Sequence, residues 1–177
     1  MIIDIAVGRP VADEYDPAFT GYVAHLDESE SVVEVLNDQL DGVTRRFGGF
    51  DESRGDYRYA PGKWSLKEVL GHLSDTERVF AYRALRIGRG DATALLAFDD
   101  QSYVPEMRAE DRTLAGVVEE WLAVRGATLA LFRGFPEQAW LRRGSASGHP
   151  ISVRSLAFVI AGHTRHHLQV VDARYGE

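Results

Sequence analysis

The sequence predicts an all-α fold, a four-helix bundle with long crossover connections. Three observations carry this expectation. Four stretches repeat apolar residues at helical spacing, Ser or Thr stands at most of their starts and Gly beyond most of their ends, and the segments between them are longer than bundle hairpins require. The first helix follows Asp27 and Glu30, which have the spacing of a capping box; Val32, Leu36, Leu40, Val43 and Phe47 then recur on one face until Gly48-Gly49 stops the run. The second opens on Ser65-Leu66-Lys67-Glu68, a cleaner capping box, and Val69, Leu73, Thr76, Phe80, Ala84 and Ile87 continue to Gly88. Thr113 is the expected N-cap of the third, whose inner residues are Leu114, Val117, Val118, Trp121, Leu122, Leu129 and Phe132, with Gly134 after them. Ser152 opens the fourth, with Leu156, Ile160, His163, His167 and Val170 on its inner face.

Residues up to about Pro17 read as an irregular leader, and no repeat or low-complexity tract divides the chain, so residues 1–177 are expected to form one domain. Bundle connections usually take about 2 to 8 residues. Residues 89–112, at roughly 3.3 Å each when extended, could span more than a 20-residue helix, so helices two and three can run parallel with a crossover between them. Gly144-Ser145-Ala146-Ser147-Gly148-His149-Pro150 has turn composition and suits a small hairpin leading into helix four.

Composition narrows the function. An apolar fraction of 45% with 27% charged residues is ordinary globular material, and a formal net charge of −7 gives no broad basic surface, so no nucleic-acid partner is expected. No run of about 18 apolar residues and no cationic leader with a cleavage pattern occurs, which predicts a cytoplasmic protein with no membrane partner. Without cysteine there is no disulfide, thiolate ligand or cysteine nucleophile, and any thiol chemistry needs a thiol carried in by a small molecule. Phosphate loops, nucleophile elbows and the H-E-x-x-H zincin pattern are also missing from the sequence.

Histidine is the informative residue. His163 and His167 stand four apart, which places two imidazoles on one helical face, one turn apart; a third from another helix would complete a facial set for a divalent metal, and His72 in helix two can supply it. An isolated histidine on an apolar face is more often a hydrogen-bonded core residue, and nothing local marks His72 as a ligand. His166 lies about 100° around the helix from His167 and is not counted. His25 and His149 read as surface positions. Asp75, one turn after His72, is a candidate acceptor for its second nitrogen, Glu77 is less well placed, and a solvated helix face explains both equally well. Trp64 reads as a staple at the start of helix two, and Asp99, Asp100 and Tyr103 as crossover residues that could cover a site. Ligating histidines must be deprotonated, so metal affinity is expected to fall as pH drops through about 6.5.

Taken in order, Tyr59-Ala60-Pro61-Gly62-Lys63-Trp64-Ser65, Gly71-His72-Leu73-Ser74-Asp75-Thr76-Glu77, Phe98-Asp99-Asp100-Gln101-Ser102-Tyr103-Val104 and the cluster from His163 to His167 resemble the DinB-like (YfiT-like) superfamily, over about Asp27 to Tyr175. The resemblance implies a bundle of non-meander topology and a homodimer. It also implies a divalent metal ion, nickel or zinc foremost and manganese or iron as further options, with His72, His163 and His167 as ligands. Many relatives carry glutamate directly after the first histidine of helix four, where this chain has Thr164. Relatives include S-transferases and isomerases that use bacillithiol, mycothiol or glutathione. The implied function is therefore a metal-dependent enzyme acting on a small-molecule substrate, its three-histidine centre activating a low-molecular-weight thiol (S-transferase) or a water (hydrolase). The alternative is a non-catalytic metal-binding module for stress response or interaction.

Overall fold

The computed structural model describes residues 7–176; residues 1–6, where the expected leader begins, and residue 177 lie outside it. Single 3₁₀ turns at Ala12–Glu14 and Pro17–Phe19 run into a short helix α1 (Thr20–Val23), so the leader is more regular than expected. Then follow α2 (Val32–Gly48), α3 (Leu66–Gly88), α4 (Asp100–Glu106), α5 (Leu114–Arg133), α6 (Glu137–Trp140), the strands β1 (Arg143–Ala146) and β2 (His149–Ser152), and α7 (Val153–Arg174). The four long helices α2, α3, α5 and α7 are the four expected ones.

Local capping explains most of their starts. Ser65 accepts the Glu68 N–H at 3.2 Å while the Glu68 carboxylate accepts the Ser65 N–H at 2.6 Å, closing the box on α3. Thr113 caps α5 through the Gly116 N–H, and Ser152 and Ser155 exchange reciprocal bonds of 3.0 Å at α7. The first helix departs from expectation. Glu30 does accept the Asp27 N–H at 2.7 Å, but α2 begins only at Val32, behind an N-cap Ser31 that makes no side-chain bond. Glu30 is held in the preceding turn by Arg165 of α7, a charged partner stronger than a helix terminus.

The bundle is not a meander. Helix α2 packs on α5 and α7, and so does α3, which leaves α2 and α3 on a diagonal. Leu66, Leu70 and Leu73 of α3 share a cluster with Leu114, Val117 and Trp121 of α5, whereas Phe80, Ala84 and Ile87 share another with Leu129 and Phe132, so these two helices run parallel. Helix α7 opposes α3, its first half packing with the end of α3 and Leu168 and Val171 with its start.

The crossover that this topology demands is not bare chain. Leu95 pairs with Ala146 as a parallel bridge at the side of the β1–β2 hairpin. The hairpin turns on Ser147-Gly148, both with positive φ (56° and 82°), as a two-residue turn that matches strand twist requires. Asp99 then caps α4 by accepting the Gln101 N–H at 3.1 Å.

One buried polar cluster ties all four helices together. Arg125 of α5, fully buried, donates to both carboxylate oxygens of Glu77 in α3 at 2.8 Å, to the Leu36 carbonyl and Gln39 of α2, and to Thr164 Oγ1 of α7 at 3.0 Å. Its guanidinium lies 4.7 Å from the Trp121 ring centre. Among the described residues no helix is long and apolar enough to cross a membrane.

Candidate metal centre

Both helices that bring histidines together carry a glycine immediately before the first one. A Cβ on Gly71 of α3 would meet Met107 Sδ at 2.6 Å, and one on Gly162 of α7 would overlap the Tyr22 carbonyl, with the carbonyl carbon at 2.6 Å. The Met107 contact is with the end of a flexible side chain, which can shift, whereas the Tyr22 contact is with backbone, so Gly162 lets α1 cross α7 beside His163. A glycine inside a helix costs about 1 kcal/mol relative to alanine, so Gly162 marks a position where close approach outweighs propensity.

His72, from the second turn of α3, meets His163 and His167 of α7. Ring centres lie 4.9 Å (His72 and His163), 5.0 Å (His72 and His167) and 4.6 Å (His163 and His167) apart. The Nε2 atoms of His72 and His163 are 3.0 Å apart, and one ring nitrogen from each histidine falls within 4.8 Å of the other two. Two nitrogens bound tetrahedrally to one ion at about 2.1 Å would be roughly 3.4 Å apart, so the three rings fit one ion after small rotations.

Their protonation suits the same role. His72 is 4% and His163 5% exposed, and His167 is half-buried. Burial pulls His72 from 6.5 to about 4, opposed by the nearby Asp100 carboxylate. Burial, then the neighbouring His72 and His166, takes His167 to about 3. His163 is held well below 6.5, first by burial and then by the surrounding imidazoles. All three are neutral lone-pair donors at neutral pH. The proton competition expected near 6.5 is displaced downward, because a charged imidazole would lose its hydration here.

Asp100, not Asp75, is the carboxylate beside the histidines: its Oδ2 is 3.9 Å from His72 Nδ1. Asp75 faces outward and pairs with Arg78 at 3.0 Å, and Glu77 points into the bundle toward Arg125. Trp64 is more than a staple. Its ring centre is 4.7 Å from that of His72 and 6.3 Å from that of His167, and its carbonyl accepts the Tyr175 hydroxyl at 2.6 Å. Asp99 serves as a cap, and Tyr103 is exposed against Phe98. His166 turns away, as its helical phase requires, and packs on Tyr22 and on a half-buried His25. His149 lies 3.3 Å from Asp16, remote in sequence from the cluster. Thr164 accepts from Arg125 and donates to the Ile160 carbonyl, so its side chain serves the bundle interior.

Two cavities reach the histidines. One, of about 240 Å³, is bounded by His167, Trp64, Tyr59, Lys63 and Gln101. Another, of about 190 Å³, is bounded by His163, Asp100, Tyr22, Phe80, Phe98 and Arg83. No local signal in the sequence marks Tyr22 or Arg83, because the topology brings them to the histidines from distant segments; the glycine before His163 is the local sign of a close approach.

Comparison with known proteins agrees with this architecture. The family model of the DinB superfamily matches residues 35–171. The fold superposes with a TM-score of 0.73 on YfiT from Bacillus subtilis, described as a probable metal-dependent hydrolase with an unusual four-helix bundle topology; identity is 19%, over 96% of this chain and 98% of that one. No curated protein sequence matches significantly.

Proposed function

The chain belongs to the DinB superfamily, and on that premise we propose that it is a metal-dependent enzyme in which His72, His163 and His167 hold one divalent ion. The observation that carries this reading is a set of three neutral imidazoles, two buried and one half-buried, with no fourth ligand grouped with them among the described residues. A structural zinc site is usually closed by four protein ligands, whereas a catalytic site keeps a position open. An ion held by these three histidines would supply Lewis-acid chemistry toward a water or a thiol.

The chain's own groups prepare that chemistry. Helices α3 and α7 present the three imidazoles within small ring rotations of a shared ion, and burial keeps the lone pairs unprotonated. Asp100, beside His72 Nδ1, favours the tautomer that leaves Nε2 as the donor atom. The Trp64 ring packs beside His72 and His167. Hydrolysis is the first reading, supported by what is said of YfiT. Attack by a low-molecular-weight thiol is the second, favoured by the two separate cavities at His167 and His163, which would admit two organic molecules. The test is elemental analysis of purified protein, followed by turnover screens of ester, amide and electrophilic substrates with and without added thiols. About one equivalent of a divalent transition metal and a metal-dependent turnover are expected. Folded protein that takes up zinc and nickel no better than millimolar sinks the proposal.

A further inference from the structure

Arg83 is 3% exposed, yet no carboxylate pairs with it among the described residues. That is unusual, because a buried charge is normally paired. Its Nη2 alone is engaged, donating to the Leu96 carbonyl at 2.8 Å and to Ser147 Oγ at 3.0 Å; Nε and Nη1 make no hydrogen bond to these residues. The guanidinium lies 5.2 Å from the Phe98 ring centre and 5.8 Å from that of Phe80, so it packs against two aromatic rings. It borders the 190 Å³ cavity whose other end is His163.

Asp100 also borders the cavity, but it lies toward the histidines, 3.9 Å from His72 Nδ1, and is not bonded to Arg83. The cavity thus has a cationic group at Arg83, a carboxylate near the histidines, and the rings of Phe80, Phe98, Phe19 and Tyr22 among its walls. A buried guanidinium with donors left over is suited to a planar carboxylate.

We propose that this cavity is an anion subsite, in which Arg83 anchors the carboxylate of an aromatic or similarly apolar substrate while its reactive bond extends toward His163. The substrate class named here rests on the metal-enzyme reading above, but the anion subsite does not require the ion. The step involved is binding only.

Calorimetric titration with phenylacetate and with its neutral amide, phenylacetamide, on metal-free and zinc-treated protein separates the two. Phenylacetate should bind both forms at least tenfold tighter than phenylacetamide. Arg83→Gln should weaken phenylacetate at least tenfold and leave the amide unchanged. Should Arg83→Gln fail to fold, Arg83→Lys retains the charge without the planar fork, and a severalfold loss is expected. If zinc is not taken up but the Arg83-dependent binding persists, the metal reading falls and the subsite stands. Phenylacetate that binds only zinc-treated protein, binds folded Arg83 variants as well as wild type, or fails to bind either form below about 10 mM overturns the subsite.

Discussion

Replacing Glu77 with alanine tests whether the buried Arg125 cluster holds the bundle together. Arg125 is 0% and Glu77 3% exposed, and the pair is bidentate at 2.8 Å on both arms. Removing the carboxylate leaves a buried cation with three neutral acceptors, the Leu36 carbonyl, Gln39 Oε1 and Thr164 Oγ1, and with the Trp121 face. Breaking a buried pair by deleting one partner costs about 3–5 kcal/mol, and the remaining acceptors place this case toward the lower end, at about 3–4 kcal/mol. In a chain of this size 1 kcal/mol moves Tm by about 2–4 °C, so a drop of roughly 6–16 °C is expected. Urea unfolding followed by circular dichroism, with a thermal scan alongside, measures both. Glu77→Leu combined with Arg125→Met should recover most of the loss, because the penalty lies in the unpaired charge and not in the absent bond. A loss below about 1 kcal/mol for Glu77→Ala, or a double variant worse than the single, would refute the reasoning.

Four further outcomes are expected. His72→Ala, His163→Ala and His167→Ala should each lose stoichiometric metal while staying folded, and His166→Ala, whose ring faces Tyr22, should keep it; retention in the first three with loss in the fourth reverses the ligand assignment. Because His72, His163 and His167 are neutral in the fold and titrate near 6.5 when unfolded, the unfolded chain takes up protons first as pH falls. Metal-free protein should therefore keep this contribution above pH 6.5 and lose it downward. The shift of His72 to about 4 alone is worth about 3 kcal/mol, measurable by urea unfolding from pH 8 to 4. Zinc affinity should stay nearly flat from pH 8 to about 5; a steep fall beginning at 7 contradicts the burial argument. Gly162→Ala should destabilise by about 1–3 kcal/mol by forcing α1 off α7, whereas Gly42→Ala, at an open position in α2, should gain up to about 1 kcal/mol. Equal effects at the two glycines would show that the α1 contact has no energetic weight.

What was legible in the sequence was local. The Ser65 and Ser152 starts, the Thr113 cap and the shared phase of His163 and His167 depend on neighbours within one or two turns, and helical geometry relates such residues without further information. The Asp27–Glu30 box misplaced a helix start because a distant cation, Arg165, claimed Glu30. The partnership of His72 with α7 was legible only through resemblance, since spacing along one helix says nothing about which other helix it faces. Tertiary structure alone decided that Asp100 and not Asp75 approaches His72, that Thr164 turns to Arg125, and that Arg83 ends beside the cavity reaching His163. Each of those follows from the parallel packing of α3 and α5, which sends the crossover back along the bundle and folds it against the Ser147-Gly148 hairpin. Contacts made across such long chain separations are set by the packing of whole faces, and no short stretch of sequence carries that information.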